Sequence, residues 1–186
     1  MELQLGLNPG VLGAGLEIDE SLLIEQARRD REAFAILYRR HYPIIAGYVY
    51  RRVGDRHVTE DLTADVFVAA LRYLPKYRHR GVPMRGWLYR IACNMVNRWV
   101  RRQRKQIARS LDELEAKTPH SGNIHDSEFA RLALMSLAPK YQAVLSLHYL
   151  EGLSVEEVAA TIGCRVGTVK SRMSRGRDAL RAKLKA

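Results

Sequence analysis

The stretch LSVEEVAATIGCRVGTVKSRMSRGR, residues 153–177, constrains the fold of this chain more than any other. Ser154 followed by Glu157 is the pattern of a capping box, in which the hydroxyl accepts from a first-turn N–H and the carboxylate reaches back. Apolar residues recur behind it at helical spacing, and Gly163 suits the left-handed position that ends a helix. A second helix is expected to begin near Val166. The pattern therefore predicts two short helices joined by a tight turn.

The second of these helices is rich in hydrogen-bond donors and almost free of acids. A short amphipathic helix, a glycine turn and a donor-rich second helix are typical of a helix-turn-helix DNA reader, whose second helix enters the major groove. There, arginine and lysine pair with guanine acceptors, and serine or threonine pairs with either type of base. The donors on the outer faces are Thr168, Lys170, Ser171, Arg172, Ser174 and Arg175. The competing interpretation is an ordinary helical hairpin with a solvated basic face.

The composition favours a polyanionic partner. The 186 residues suit one or two small domains. Among them, 31 Lys and Arg against 20 Asp and Glu give a net charge of +11, which favours nucleic acid or an acidic membrane surface. Cys93 and Cys164 form no CxxC pair, so they are predicted to be buried thiols in a reducing compartment. There is no apolar run of bilayer length and no basic start to a signal peptide, so we expect a soluble cytoplasmic protein.

The N-terminal part predicts helices throughout, including one acidic helix. Residues 19–53 predict two helices with Pro43 as a kink or break, and Gly54 marks a turn. TEDLTADVFVAALRYL, residues 59–74, then predicts a helix capped by Thr59. It carries three acids, Glu60, Asp61 and Asp65, within six residues of a basic chain. One interpretation is a solvated helix face, and the other is a docking surface for a basic protein, since acids would repel DNA.

A basic loop and a basic helix follow. The breakers in KYRHRGVPMRG, residues 76–86, predict a loop, which either receives unpaired bases through its aromatic and cations or is simply solvated. WLYRIACNMVNRWVRRQRKQ, residues 87–106, predicts an amphipathic helix without a single acid. Solvated helices normally mix charges of both signs, so this helix indicates an anionic partner.

The rest of the chain predicts a linker and a second helical domain. Residues 107–126 have little periodicity and read as a linker, and their two histidines lack a convincing third metal ligand. Two further helices around Pro139 are expected to supply leucines, Leu132 among them, to a small core, and Leu184 is expected to face inward. No strand pattern occurs, so the predicted fold is all-α, with two small helical domains. The predicted parts are a leader 1–18, a domain 19–106, a linker 107–126 and a domain 127–186.

The order of these parts resembles that of a sigma factor of the extracytoplasmic-function (ECF) group of the sigma-70 family. The parts are the acidic helix, the basic loop, WLYRIACNMVNRWVRRQRK, the linker and LEGLSVEEVAATIGCRVGTVKSRMSRGRDALR. The resemblance covers about residues 19–184. It implies a region 2-like bundle and a region 4-like helix-turn-helix domain that bind core RNA polymerase, direct it to promoters and assist promoter melting. It implies no enzyme activity, cofactor, metal or small-molecule substrate, because polymerase holds the active centre. An anti-sigma factor is left open as a further partner.

The resemblance also assigns residues to three surfaces. Core polymerase would contact Asp61, Thr63, Asp65 and Phe67. The downstream ("minus ten") element, including an unpaired base of the non-template strand, would contact Tyr77, Arg78, Arg80, Asn94, Asn97, Arg98, Arg101 and Arg102. The upstream ("minus thirty-five") element would contact Arg165, Gly167, Thr168, Lys170, Ser171, Arg172, Ser174 and Arg175. Two of these depart from the family pattern: Arg165 stands where serine or proline is frequent, and Ser174 where some members carry an aromatic.

Two other classes of protein compete with this interpretation. An autonomous helix-turn-helix regulator would bind duplex DNA by itself, usually as a dimer, and would typically carry an α/β sensor or phosphoacceptor domain in front. The all-helical N-terminal half argues against it. A nuclease or nucleotidyl transferase would need clustered acids for Mg²⁺, for which Asp61 and Asp65 are the only candidates.

Overall fold

The computed structural model describes residues 19–78, 82–111 and 132–184, and these residues are all-α, as predicted. The leader 1–18, most of the predicted linker, its two histidines and Arg80 lie outside the described residues. The helices in chain order are α1 (Glu20–Ala27), α2 (Arg31–Val53), α3 (Arg56–Tyr73), a 3-10 turn (Leu74–Lys76), α4 (Met84–Leu111), a helical turn at 132–136, α5 (Pro139–Leu145), a π-helical segment (Ser146–Leu150), α6 (Val155–Ile162) and α7 (Val166–Leu184).

Helix α2 runs through the position where a break was predicted. Pro43 lies inside the continuous helix. Its ring removes one hydrogen bond from the helix, but both Pro43 and Arg39, whose carbonyl loses its partner, are exposed, so water can satisfy that carbonyl. Helix α1 packs on α2 through the buried Leu23 and Ile24.

Helix α3 begins one turn earlier than predicted. Gly54 ends α2 with φ of 76°, and the side chain of Asp55 then caps α3 by accepting from the N–H of Val58 at 2.9 Å. The predicted cap, Thr59, lies buried inside the first turn, where its hydroxyl donates to the carbonyl of Asp55 at 2.6 Å. The prediction of Thr59 as the N-cap is therefore wrong, since the aspartate that follows the glycine takes that role.

Helices α2, α3 and α4 enclose the core of the N-terminal domain, which we define as α1 to α4. Its fully buried residues include Ile45, Tyr48, Val66, Leu88 and Val96. Helix α4 begins after Pro83 and ends at Leu111, so the first five residues of the predicted linker are helical.

The C-terminal domain, residues 132–184, packs α5, α6 and α7 around Val144, Leu147 and Val158. Gly176 allows α7 to approach α5 closely, because a Cβ there would lie 3.1 Å from Cδ1 of Leu145. Two leucines predicted to face inward are exposed: Leu132 (41%) and Leu184 (43%). They are the first and last residues of this described segment and lie beyond the reach of its packed core.

The two domains are in contact as well as joined by the chain. Helix α4 packs against both α5 and α6, and buried residues of both domains form one continuous cluster. None of the helices in the described ranges combines the length and hydropathy that a membrane-spanning helix needs.

Candidate nucleic-acid interface

The predicted helix-turn-helix is formed by α6, the turn at Gly163 and α7. The backbone N–H of Ser154 donates to Oε2 of Glu157 at 2.7 Å, and the N–H of Glu157 donates to Oγ of Ser154 at 3.1 Å. Hydrogen bonds to the carboxylate from the backbone N–H of Ser154 and, second, from its side chain hold the pKa of Glu157 below its usual value. Gly163 has φ of 71° and ends α6. The predicted capping box and glycine turn are therefore confirmed.

Helix α7 presents its donors away from the protein. Val169 and Met173 are buried against the domain core, as predicted. Every candidate upstream-element residue reaches the surface: Arg165, Gly167, Lys170, Ser171, Ser174 and Arg175 are exposed, and Thr168 and Arg172 are half-buried. A helix whose inner face is fixed by packing and whose outer face is rich in donors has the form of a major-groove reader.

A basic groove beside α7 adds two residues that sequence reasoning missed. It has a volume of about 340 Å³, and Lys140 and Tyr141 of α5 line it together with Gly167, Thr168, Ser171, Arg172 and Arg175. The ammonium of Lys140 lies 5.0 Å from the ring centroid of Tyr141. One signal was present in the sequence: a lysine directly after Pro139 stands in the first turn of a helix, where a cation is unfavourable.

Helix α4 carries an exposed basic stripe. It contains no acid over its whole length, and Asn94, Arg98, Arg101 and Arg102 are exposed at spacings of four, seven and eight residues along it. These spacings place the four side chains on one face of the helix. Arg90, exposed one turn before Asn94, extends the stripe and was not among the predicted site residues.

Asn97 does not belong to this stripe. Its Oδ1 accepts from Nη2 of Arg52 at 2.8 Å, and its Nδ2 lies 3.7 Å from Sγ of Cys93. The side chain is half-buried. Its hydrogen bonds are thus directed into the protein, and contact with DNA would require those bonds to change. Cys93 is buried as predicted, whereas Cys164 is only half-buried.

In the loop before α4, Tyr77 is buried and is not the accessible aromatic that base binding by this loop would need. Tyr77 is 5% exposed, its ring centroid lies 4.8 Å from that of Trp87, and its hydroxyl donates to the carbonyl of Val82 at 3.0 Å. Burial raises its pKa above the ordinary value. The ring belongs to the core and is not free to stack on a base in this structure. Of the other two loop candidates, Arg78 is exposed and Arg80 lies outside the described residues.

The acidic helix α3 has two distinct faces. Asp61 and Asp65 are exposed, but Thr63 is fully buried and Phe67 is 5% exposed. The ring of Phe67 lies 4.7 Å from that of Tyr38. These two predicted docking residues therefore support the helix from inside.

Two apolar residues that sequence reasoning missed lie on the exposed side of α3. Val68 is 58% exposed and Leu71 is 44% exposed. Since residues three and four apart share a helix face, Val68 continues the row of Asp61 and Asp65. A row of acids followed by uncovered apolar side chains is typical of a protein-docking surface rather than a DNA-binding one.

Across the part of the chain that the structure describes, no group of three or more His, Cys, Asp or Glu side chains is placed to hold a metal ion. Asp61 and Asp65 are exposed carboxylates one helical turn apart.

Both domains match known families. Residues 37–106 match the family described as Sigma-70 region 2, and residues 130–180 match Sigma-70, region 4. The chain is 37% identical over 153 residues to the ECF RNA polymerase sigma factor SigE of Mycolicibacterium smegmatis, covering 78% of this chain and 59% of that one. It is 32% identical over 180 residues to the ECF RNA polymerase sigma-E factor of Escherichia coli, covering 88% and 93%. It thus spans about three fifths of the first relative and nearly all of the second.

Two solved structures share the fold. The sigma factor RpoE from Bartonella quintana, in complex with the anti-sigma factor NepR, superposes with a TM-score of 0.63 at 25% identity, over 82% of this chain and 97% of that one. CnrH, in complex with the cytosolic domain of CnrY, superposes with a TM-score of 0.63 at 28% identity, over 88% and 96%.

Proposed function

The chain belongs to the extracytoplasmic-function group of the sigma-70 family, and on that premise we propose that it binds core RNA polymerase in the cytoplasm, directs it to specific promoters and assists promoter melting. The observation that carries this proposal is the presence, on one chain, of two separate basic surfaces and one acidic surface with exposed apolar side chains. Binding to duplex DNA needs only the basic surfaces, whereas the third surface fits a protein partner.

The upstream element is assigned to α7. Its outer donors would lie in the major groove, where bidentate arginine or lysine contacts are worth about 1–3 kcal/mol of base discrimination each. Lys140 at the edge of the groove is placed for a phosphate, and phosphate contacts fix the register of a reading helix without specifying sequence.

The downstream element is assigned to the stripe of Asn94, Arg98, Arg101 and Arg102. Opening about ten base pairs at ~1.4 kcal/mol per stacking step requires roughly 14 kcal/mol. One small domain cannot supply that much, so polymerase contacts and a captured base must share it. The chain therefore acts through binding energy and not through bond chemistry. Because Tyr77 is buried, either the loop that follows it captures the base or the Tyr77 ring leaves the core to do so.

We assign the binding of core polymerase to the exposed side of α3. Asp61 and Asp65 would pair with a basic polymerase surface, and Val68 and Leu71 would be covered at the same contact. Thr63 and Phe67 contribute by fixing the position of the helix.

The proposal is tested by co-purifying the tagged full chain with bacterial core RNA polymerase. We expect the double variant Asp61→Asn, Asp65→Asn to lose polymerase by at least tenfold while its unfolding curve stays unchanged, because both carboxylates are exposed. The matched control is Glu156→Gln with Asp178→Asn, which removes two exposed negative charges from the C-terminal domain and should leave binding intact. If the unsubstituted chain recovers no polymerase but shifts duplex DNA by itself, the protein is an autonomous regulator.

A further inference from the structure

Helix α1 has no role in the three surfaces assigned above. None of the candidate DNA-binding or polymerase-binding residues lies in it, and the match to Sigma-70 region 2 begins only at residue 37. The helix is nevertheless fixed to the domain. It packs on α2 through the buried Leu23 and Ala27, and Oε1 of Glu20 lies 3.0 Å from Nε2 of the buried His41 on α2. A helix attached in this way can hold other parts of the domain in place.

The residue that follows α1, Arg28, reaches across the domain to Tyr77. Its Nη2 donates to the backbone carbonyl of Tyr77 at 2.8 Å, and its Nη1 lies 2.8 Å from Oε2 of Glu25, one turn earlier. The side chain of Arg28 is 20% exposed and that of Glu25 is 64% exposed. Glu25 therefore orients the guanidinium from the solvent side, and the bond to Tyr77 is partly shielded from water.

The carbonyl of Tyr77 needs a donor from outside its own segment. Tyr77 follows the 3-10 turn, and its N–H donates back to the carbonyl of Leu74 at 3.0 Å. Its own backbone is extended, with ψ of 131°, so its carbonyl is turned away from the direction of the helical carbonyls. A shielded carbonyl without a partner is costly, and a charged donor makes a stronger bond to it than a neutral one. Arg28 supplies that donor from 49 residues away.

The same carbonyl belongs to the peptide group that joins Tyr77 to Arg78. A peptide group is planar, so a bond that holds its oxygen also fixes the direction of the Arg78 N–H and restricts the position of the Arg78 Cα. Arg78 is exposed. The bond from Arg28 thus acts on a residue that the proposed function assigns to the downstream element.

Tyr77 is anchored to α4 on its other side. Its ring lies 4.8 Å from that of Trp87 in the first turn of α4, and its hydroxyl donates to the carbonyl of Val82, just before that helix, at 3.0 Å. Helix α4 carries the basic stripe. Tyr77 therefore stands between α1 and the helix with the stripe, and Arg28 completes the fixation of the segment from which Arg78 leaves.

We propose that Arg28 is a positioning residue for the downstream element: through the carbonyl of Tyr77 it holds Arg78 in place relative to the stripe on α4, so that both engage the opening promoter together. This inference rests on the proposed function, in which Arg78 and the stripe contact that element. It gives α1 a part in promoter opening without any contact with DNA. A side chain that is placed in advance loses less conformational freedom on binding, so the effect belongs to promoter opening and not to polymerase binding.

The first test needs neither polymerase nor DNA. Arg28→Met removes the donor and keeps an apolar stem of similar length. The Tyr77 carbonyl-carbon and Arg78 amide resonances in NMR spectra report the bond, because a hydrogen bond to a carbonyl polarises its peptide group. We expect both resonances to move in Arg28→Met and to stay near their positions in Arg29→Met, which removes an exposed charge from the next residue. Unchanged resonances in Arg28→Met would overturn the proposal.

The second test measures promoter opening by core polymerase and the full chain. The probe is a promoter fragment recovered with the unsubstituted chain, with 2-aminopurine in place of a non-template adenine of the downstream element. We expect Arg28→Met to lower the rate of opening at least fivefold, with co-purification of polymerase unchanged. Arg29→Met should open the promoter at the unsubstituted rate. Equal rates for Arg28→Met and the unsubstituted chain would overturn this inference alone, whereas no opening by the unsubstituted chain would overturn the proposed function.

A double-mutant cycle separates positioning from a general loss of stability. If Arg28 acts through Arg78, adding Arg28→Met to Arg78→Ala should lower the rate by less than a further twofold, because the residue to be positioned is already gone. Rate losses that multiply in the double variant would overturn the proposal, as would an unsubstituted rate for Arg78→Ala.

A conservative variant guards against a folding defect in Arg28→Met. Arg28→Lys keeps the charge and one donor that can reach the Tyr77 carbonyl, and it should open the promoter at least twofold faster than Arg28→Met. Unfolding curves recorded beside the rates identify any variant that is unfolded at the assay temperature. Equal rates for the two variants, both folded, would contradict a role for the donor.

Discussion

At the scale of single residues, the capping box that begins α6 is the clearest case of local stabilisation in the described residues, because both of its members lie in one helical turn. Ser154 and Glu157 are three residues apart, so their capping box needs only the helix they begin. Asp55 was overlooked as a cap because Thr59 fits the same rule. Burial of Tyr77 and Thr63 depends on which helices lie against them, and periodicity within one helix does not reveal that.

The capping box gives a prediction for stability. Ser154→Ala should lower the free energy of unfolding by about 1 kcal/mol, because the first-turn N–H of Glu157 loses its acceptor, Oγ of Ser154. Urea denaturation monitored by circular dichroism measures it. Ser174→Ala, at an exposed position of α7, should change the free energy by less than about 0.5 kcal/mol. If Ser174→Ala lowers the free energy of unfolding as much as Ser154→Ala does, the predicted role of Ser154 as a stabilising cap is wrong.

The stabilisation that the Glu157 carboxylate contributes to the capping box should depend on pH. The folded state lowers the pKa of Glu157 below its ordinary value of 4.5, so the interaction is fully present above that value and is lost as pH falls through the lowered pKa. Since the backbone N–H of residue 154 that donates to this carboxylate remains in Ser154→Ala, the variant that measures the pH dependence is Glu157→Gln. The difference in free energy of unfolding between Glu157→Gln and the unsubstituted protein should shrink as pH falls below 4.5.

At the scale of helices, the sequence predicted the existence of the described α-helices but missed several of their bounds. It did not predict the 3-10 turn (Leu74–Lys76) or the π-helical segment (Ser146–Leu150). Helix α4 continues five residues beyond the predicted end because its basic, proline-free sequence contains no stop signal before residue 111. Helix α2 passes through Pro43 because the carbonyl that loses its partner faces solvent. The acid-free composition of α4 was the most informative pattern, since the four residues of its stripe share one exposed face as their spacing requires.

The stripe on α4 gives a prediction about salt. Each neutralised phosphate contributes about −0.9 to the slope of log binding constant against log salt concentration. We expect Arg98→Gln with Arg101→Gln and Arg102→Gln to reduce the slope for promoter duplex by up to about 2.7, measured with the polymerase complex. A triple variant at the exposed arginines Arg29, Arg31 and Arg39 makes the same change in net charge and should leave the slope nearly unchanged. Equal changes in the two variants would show that net charge, and not this helix face, governs binding.

At the scale of the whole molecule, the all-α fold and the family were recognisable from the order of motifs, but the packing of one domain on the other was not. The hydrogen bond between Arg51 and Glu151 joins two residues that are 100 positions apart in the chain. Arginine and glutamate are common on solvated surfaces, so neither carries a local sign of burial. Only the relative placement of α2, α4 and the π-helical segment brings them together, and that placement depends on the whole core.

The most direct test of the central claim is run-off transcription from a pool of genomic promoter fragments, with core RNA polymerase and the purified full chain. We predict discrete transcripts that are absent with core polymerase alone, and whose templates share an upstream and a downstream element at a constant spacing. Transcripts no different from those of core polymerase alone, together with a shift of duplex DNA by the chain without polymerase, would contradict the account and establish an autonomous regulator.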